Sequence, residues 1–222
     1  MDNPETQIPR IIHSLTQGTT EDQHWALNKF FTPDAYFIHP FCRVPAFEGY
    51  QVPFTSETIE SRWFIFMIYR WYRILSPKIE LSIESTSFDK KKNLFYTTIH
   101  QTFTLWFVPF SLWQAKVKLV TVLSLAHLPV DERNRPLPSS ADRNEDDHAL
   151  APPKLYFIRG QEDHYQIEEF LKFIAPWGAS LLWEVWQCWG SIVCVLGAFI
   201  LGPLVAVIRQ FPGVESGPPK QP

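Results

Sequence analysis

The amino-acid sequence predicts an α+β domain followed by a helix that crosses a membrane, and three observations carry that expectation. Apolar residues recur at helical spacing through the first part of the chain. From Lys78 onward, alternating and β-branched segments take over, giving long strands after the helices. Near the C-terminus the chain runs from Val185 to Ile208 without a formal charge. As a helix that run reaches roughly 36 Å, against about 30 Å of bilayer hydrocarbon, so it spans with some tilt. Trp183, Trp186 and Trp189 crowd one end, where indoles sit at headgroup level, and Arg209 follows the other. A buried core helix is the competing account, but few soluble domains can surround a helix that is apolar all round.

Bulk properties narrow the function classes. A chain of 222 residues holds one domain and an anchor. With net charge −3 there is no basic field for nucleic acid, and Lys90, Lys91 and Lys92 fit a turn. Aromatic residues make up 15%, which suits either an aromatic-lined interior or a membrane-facing surface. Cys42, Cys188 and Cys194 draw no disulfide framework and favour a reducing compartment. No metal or cofactor is expected, since His-x-x-x-His, Cys-x-x-Cys and Gly-rich phosphate-loop patterns are missing from the sequence. The first residues, MDNPETQIPR, lack the basic and apolar regions of a secretory signal. The expected topology is therefore a tail-anchored, single-pass protein with its N-terminal domain in the cytosol.

The elements follow in order. Ile8, Ile11, Ile12 and Leu15 predict a first helix stopped by Gly18. Thr20 is a possible N-cap for a second helix that ends before Pro33. AYFIHPFCRV suits a strand buried on both faces, and Phe47 to Tyr50 a brief return strand. Glu57 to Leu75 predicts a long third helix closed by Pro77, with its aromatic residues in the core. Strands are expected in KIELSIESTSF, NLFYTTIHQTFTLWF, KVKLVTVLSLAHL and KLYFIRGQ. Residues 129–153 form a polar excursion expected to be flexible. Asp163 and Gln166 then fit as N-cap and third residue of a short helix closed by Pro176. The domain so defined spans 1–176, the Trp-rich approach and anchor 177–208, and a short polar tail 209–222.

This order of elements, with FFTPDAYFIHP (Phe30 to Pro40) and YFIRGQEDHYQIEEFLKF (Tyr156 to Phe173), resembles the nuclear transport factor two-like, or SnoaL-like, superfamily. The fungal SigF-like branch, in which such a domain precedes a hydrophobic C-terminal segment, is the nearest resemblance. It implies a cone-shaped, curved antiparallel sheet packed by the N-terminal helices and the long third helix around an apolar pocket. It also implies small hydrophobic ligands, and in enzymes one acid or His with a Tyr or second acid inside the cone. It transfers no reaction, because the fold hosts enzymes, carriers and docking modules alike.

Candidate polar pocket residues are Asp34, Tyr36, His39, Gln101 and Asp163; candidate apolar ones are Phe37, Trp63, Phe95, Phe103 and Phe157. Asp34 also fits a turn, Asp163 a helix cap, and His39 a hydrogen-bonded core histidine. Strand parity sets Phe95, Ile99, Gln101 and Phe103 on one, inward face and His100 on the other. Trp106, Phe107, Phe110 and Trp113 cluster at a hairpin tip that either dips into headgroups or packs on the third helix or in a dimer interface. With the anchor tryptophans they are the candidate membrane contacts. Gly190, Cys194, Ala198 and Gly202 recur every fourth residue, a spacing compatible with a homodimer through the anchor or with a lone helix. Three functions follow: a membrane-tethered binding domain for a small lipophilic molecule, a SnoaL-like isomerase, cyclase or hydratase, or a non-catalytic membrane-surface module with a filled cone.

Overall fold

The structure, a computed structural model, describes residues 1–51, 58–108, 113–137 and 153–210, with 202–210 as backbone. Helix α1 (Pro4–Gln17) starts where Asn3 accepts the Glu5 N–H, and buries the Ile8, Ile11, Ile12 and Leu15 stripe. Helix α2 (Thr20–Phe30) is entered one residue earlier than Thr20 suggests: Thr19 and Asp22 cap each other reciprocally. Strand β1 (Phe31–His39) then turns back as β2 (Cys42–Val44), so the return strand begins before Phe47. A two-residue pair, β3 (Tyr50–Gln51) with β4 (Thr58–Ile59), precedes helix α3 (Ser61–Leu75). Helix α3 starts later than predicted because Thr58 and Ile59 are extended and pair with β3; Glu57 lies outside the described residues.

Strands β5 (Glu80–Asp89), β6 (Leu94–Thr104), β7 (Gln114–Pro129) and β8 (Lys154–Tyr165) complete a six-stranded sheet in the order β2-β1-β8-β7-β6-β5. The sheet is mixed, not antiparallel throughout: β1 and β8, from opposite ends of the domain, run parallel. The polar excursion is shorter on its N-terminal side than expected, since β7 continues to Pro129 and Val130 bridges to Pro136; residues 138–152 lie outside the described residues.

Helix α4 (Ile167–Ile174) follows β8, and α5 (Ala179–Gln210) follows it. The predicted cap at Asp163 is overturned. The β7 ladder holds β8 extended through Tyr165, paired with Leu119, so the cap position passes to Gln166. A strand bonded along its whole length satisfies more backbone groups than a frayed helical turn would.

The core packs between the helices and the inner face of the sheet. Phe31, Phe37, Phe95, Ile8, Leu15 and Leu27 are fully buried there. Ser76 closes α3 onto the sheet by accepting the Thr104 N–H at 3.0 Å. Among the described residues one helix, Ala179–Leu201, is long and apolar enough to cross a membrane, and its most apolar window buries nothing against the domain.

Candidate functional site

Between α1, α3 and the inner face of the sheet lies a cavity of about 680 Å³. Its walls are predominantly apolar: Ile99, Phe103 and Leu119 project from the sheet, and Ile68, Met67 and Trp71 from α3. Period-two alternation delivers the polar points. Gln161, Asp163 and Tyr165 lie on one face of β8, Phe37 and His39 on one face of β1, and Gln101 beside Phe103 on β6.

Asp163 is the one carboxylate among the described lining residues. Thr121 Oγ1 donates to its Oδ1 at 2.6 Å, and Gln161 Nε2 donates to both carboxylate oxygens at 3.1 Å. Gln161 is in turn oriented by the Tyr69 hydroxyl, which donates to its Oε1 at 2.8 Å. Shielded from bulk water yet facing the cavity, the Asp163 carboxyl is pushed up to about 6 by desolvation, which the Thr121 and Gln161 bonds only partly offset.

A second polar cluster surrounds His39. The Phe41 N–H donates to Nδ1 at 3.2 Å, and a backbone N–H can only donate, so Nδ1 is the bare nitrogen. The proton therefore sits on Nε2, 3.3 Å from the Tyr165 hydroxyl oxygen. Burial pushes His39 down to about 4, keeping the ring neutral at physiological pH. The Tyr72 hydroxyl lies 3.2 Å from His39 Nδ1 and 3.6 Å from Cys42 Sγ. Burial raises the Tyr69, Tyr72 and Tyr165 phenols and the Cys42 thiol, so all four remain protonated.

The sequence-predicted residues divide sharply. His39, Gln101, Asp163, Phe37 and Phe103 meet at the cavity. Asp34 and Tyr36 do not, because their even parity on β1 turns them away from the His39 face. Tyr36 instead packs over Gly160 and bonds Ser124 at 2.9 Å and Glu162 at 3.0 Å. Phe95 and Phe157 are fully buried but short of the cavity, and Trp63 is exposed beside a separate surface groove with His24 and Arg62. His100 lies on the outer face against Glu84.

Of the hairpin-tip residues, Trp106 and Phe107 are exposed while Trp113 turns inward to line the cavity against Phe103; Phe110 lies outside the described residues. Trp186 and Trp189 are exposed on α5, and Trp183 is half-buried. Thr121, Gln161, Tyr69, Tyr72 and Tyr165 escaped the sequence reading. Extending β8 past Gln161 by simple alternation would have found Asp163 and Tyr165 together. Among the described residues, no group of three or more His, Cys, Asp or Glu is placed to hold a metal ion.

A family model for the SigF NTF2-like domain matches residues 1–133. The chain belongs to that family. No curated protein matches it significantly. Solved structures similar to this SigF NTF2-like chain include a protein described as a SnoaL-like polyketide cyclase from Jannaschia sp. CCS1, 12% identical, with a TM-score of 0.45 over 76% of this chain and 90% of that one. A hypothetical protein with a ketosteroid isomerase-like fold from Catenulispora acidiphila DSM 44928, in complex with trimethylamine, is 11% identical, with a TM-score of 0.41 over 72% and 88%. An NTF2-like protein of unknown function from Burkholderia pseudomallei K96243 is 10% identical, with a TM-score of 0.39 over 75% and 96%. These likenesses assign no ligand or reaction to the SigF NTF2-like domain.

Proposed function

We propose that this SigF NTF2-like protein is held at a membrane by α5, with its domain in the cytosol, and binds a small lipophilic molecule in the aromatic cavity. The observation that carries this reading is the cavity itself: about 680 Å³, walled by Phe, Trp, Leu and Ile, within the range of small-molecule sites. A filled cone would have favoured a pure docking module. The test is equilibrium binding of dansylamino-undecanoic acid to the full chain in detergent. Binding is expected in the wild type and is abolished by Leu81→Trp, which fills the cavity from β5. Equal binding to both proteins refutes the reading.

One observation favours catalysis on the bound molecule. Asp163 is the one carboxyl among the described residues lining an apolar chamber, with its proton affinity raised to about 6, suited to taking a proton from a ligand and returning it elsewhere. The neutral His39 and the protonated Tyr72 and Tyr165 can only polarise or orient the ligand there. The molecules that co-purify with the wild type and with Asp163→Asn distinguish turnover from carriage. An isomerase, cyclase or hydratase accumulates unreacted substrate in the variant, whereas a carrier retains the same molecule in both.

A further inference from the structure

The outer face of α3 is as apolar as its inner one. Ile65, Tyr69 and Tyr72 point inward, while Trp63, Met67, Trp71 and Ile74 form a stripe at helical spacing on the exposed side. Met67 and Trp71, with Phe64, also line the cavity, so the middle of this stripe is the edge of its mouth, while Trp63 and Ile74 border separate grooves. The β6–β7 tip meets the same edge: the Trp106 N–H donates to the Leu75 carbonyl at 3.3 Å, setting exposed Trp106 and Phe107 beside the last turn of α3. Helix α4 closes the opposite side, where Phe173 packs on Phe103 at 5.9 Å, on Tyr165 at 5.7 Å and on the exposed Phe41 at 5.7 Å.

We propose that this aromatic rim rests on the bilayer surface and that the cavity's molecule enters laterally from lipid. The choice of occupant follows from where the chain goes next. Helix α5 starts at Ala179, only residues 175–178 beyond α4, so the one described helix that can span a membrane departs from the rim itself. Charge agrees. Arg43, exposed at the mouth, has no carboxylate within ion-pair distance among the described residues, and anionic headgroups would supply one; Arg70 and Arg73 face the groove beside the start of α2 instead. On the outer face of the sheet the opposite holds: Glu84 is already paired with Lys118 at 2.7 Å and with His100 at 3.0 Å, as suits a surface in water. A rim of this kind offers a route to molecules that partition into membrane and are scarce in solution.

The entry route rests on the proposed ligand binding; the lipid contact does not, and the test separates them. The full chain, in phosphatidylcholine vesicles containing phosphatidylserine, carries the photo-crosslinker benzoylphenylalanine in place of Trp71, Trp106 or Tyr96. Tyr96 is also exposed, but lies on the outer sheet face at the far end of β6 from the tip. Lipid adducts are expected at Trp71 and Trp106 in about tenfold excess over Tyr96. Equal adducts at all three positions, or protein adducts from a second copy in place of lipid, overturn the contact. Trp106→Glu with Phe107→Glu should slow uptake of dansylamino-undecanoic acid from vesicles about tenfold, with detergent-phase affinity unchanged, because neither residue lines the cavity. Uptake at the wild-type rate overturns the entry route. A probe that binds neither protein refutes the cavity reading while the adduct pattern still decides the lipid contact.

Discussion

The cone interior and the outer face of α3 are built from the same residue types and meet opposite surroundings. Phe37 and Phe95 are 0% exposed, whereas Trp71 is 56% exposed on α3 and Trp186 67% exposed on α5. Inside, aromatic rings pack against one another and the Asp163 carboxylate is the anomaly; outside, the rings themselves are. Each anomaly carries a cost: Asp163 is desolvated, and the rim exposes apolar area to water. Both meet at one cavity, which Asp163, Met67 and Trp71 line together. The comparison teaches that the closed end of this cone is built for stability and the open end for an encounter with something apolar.

The sharpest way to break the comparison is to charge the helix that gives the open end its surroundings. Leu196→Arg with Phe199→Arg should move the protein out of the carbonate-resistant membrane pellet, since an arginine at the centre of a spanning helix costs roughly 3 kcal/mol. An unchanged pellet fraction would count against the anchor. Next comes packing. Phe37→Ala should destabilise the detergent-solubilised chain by about 3–5 kcal/mol in urea, and Trp71→Ala by less than about 1 kcal/mol. Equal losses would erase the distinction between interior and rim.

Two ionisable cavity residues, Asp163 and His39, should respond to pH with opposite sign. Asp163 has a folded-state pKa of about 6, above its ordinary 3.8, so the folded state holds the extra proton and stability falls as pH rises through that window. His39, at about 4 against an ordinary 6.5, holds fewer protons when folded, so stability falls as pH drops through its window. In the wild type the two largely cancel. Asp163→Asn should therefore expose a loss of about 3 kcal/mol between neutral pH and about pH 4, and His39→Gln a relative gain of similar size. Parallel profiles for both variants and the wild type would show that neither carboxyl nor imidazole is desolvated. The smallest effect concerns the sheet. A Cβ at Gly160 would meet the Tyr36 ring, so Gly160→Ala should cost about 1–3 kcal/mol while leaving probe binding intact.

Much of the fold was legible because its signals are local. The Ile8 to Leu15 stripe, the alternation of β6 and the uncharged run before Ile208 each announce an element, and β6 parity correctly placed Gln101 and Phe103 inward. What was hidden depends on pairing between distant segments. Alternation along β8 runs on past Gln161, but only pairing with the distant β7 decides that the strand stays extended through Tyr165, and by local signals alone Asp163 fits a helix cap equally well. Likewise β1 does not reveal its parallel partner, whose register sets the Tyr36 ring over Gly160. Helix α3 failed for another reason. It carries aromatic residues on both sides, so residue type does not sort them, and only the placed sheet decides that Tyr69 is inside and Trp71 outside.

The most direct test of the central claim is native mass spectrometry of the full chain released from mild detergent. The account predicts one apolar molecule retained per cavity in the wild type, absent from Leu81→Trp. A wild-type protein that carries no such molecule, or a filled variant that retains it equally, would contradict it.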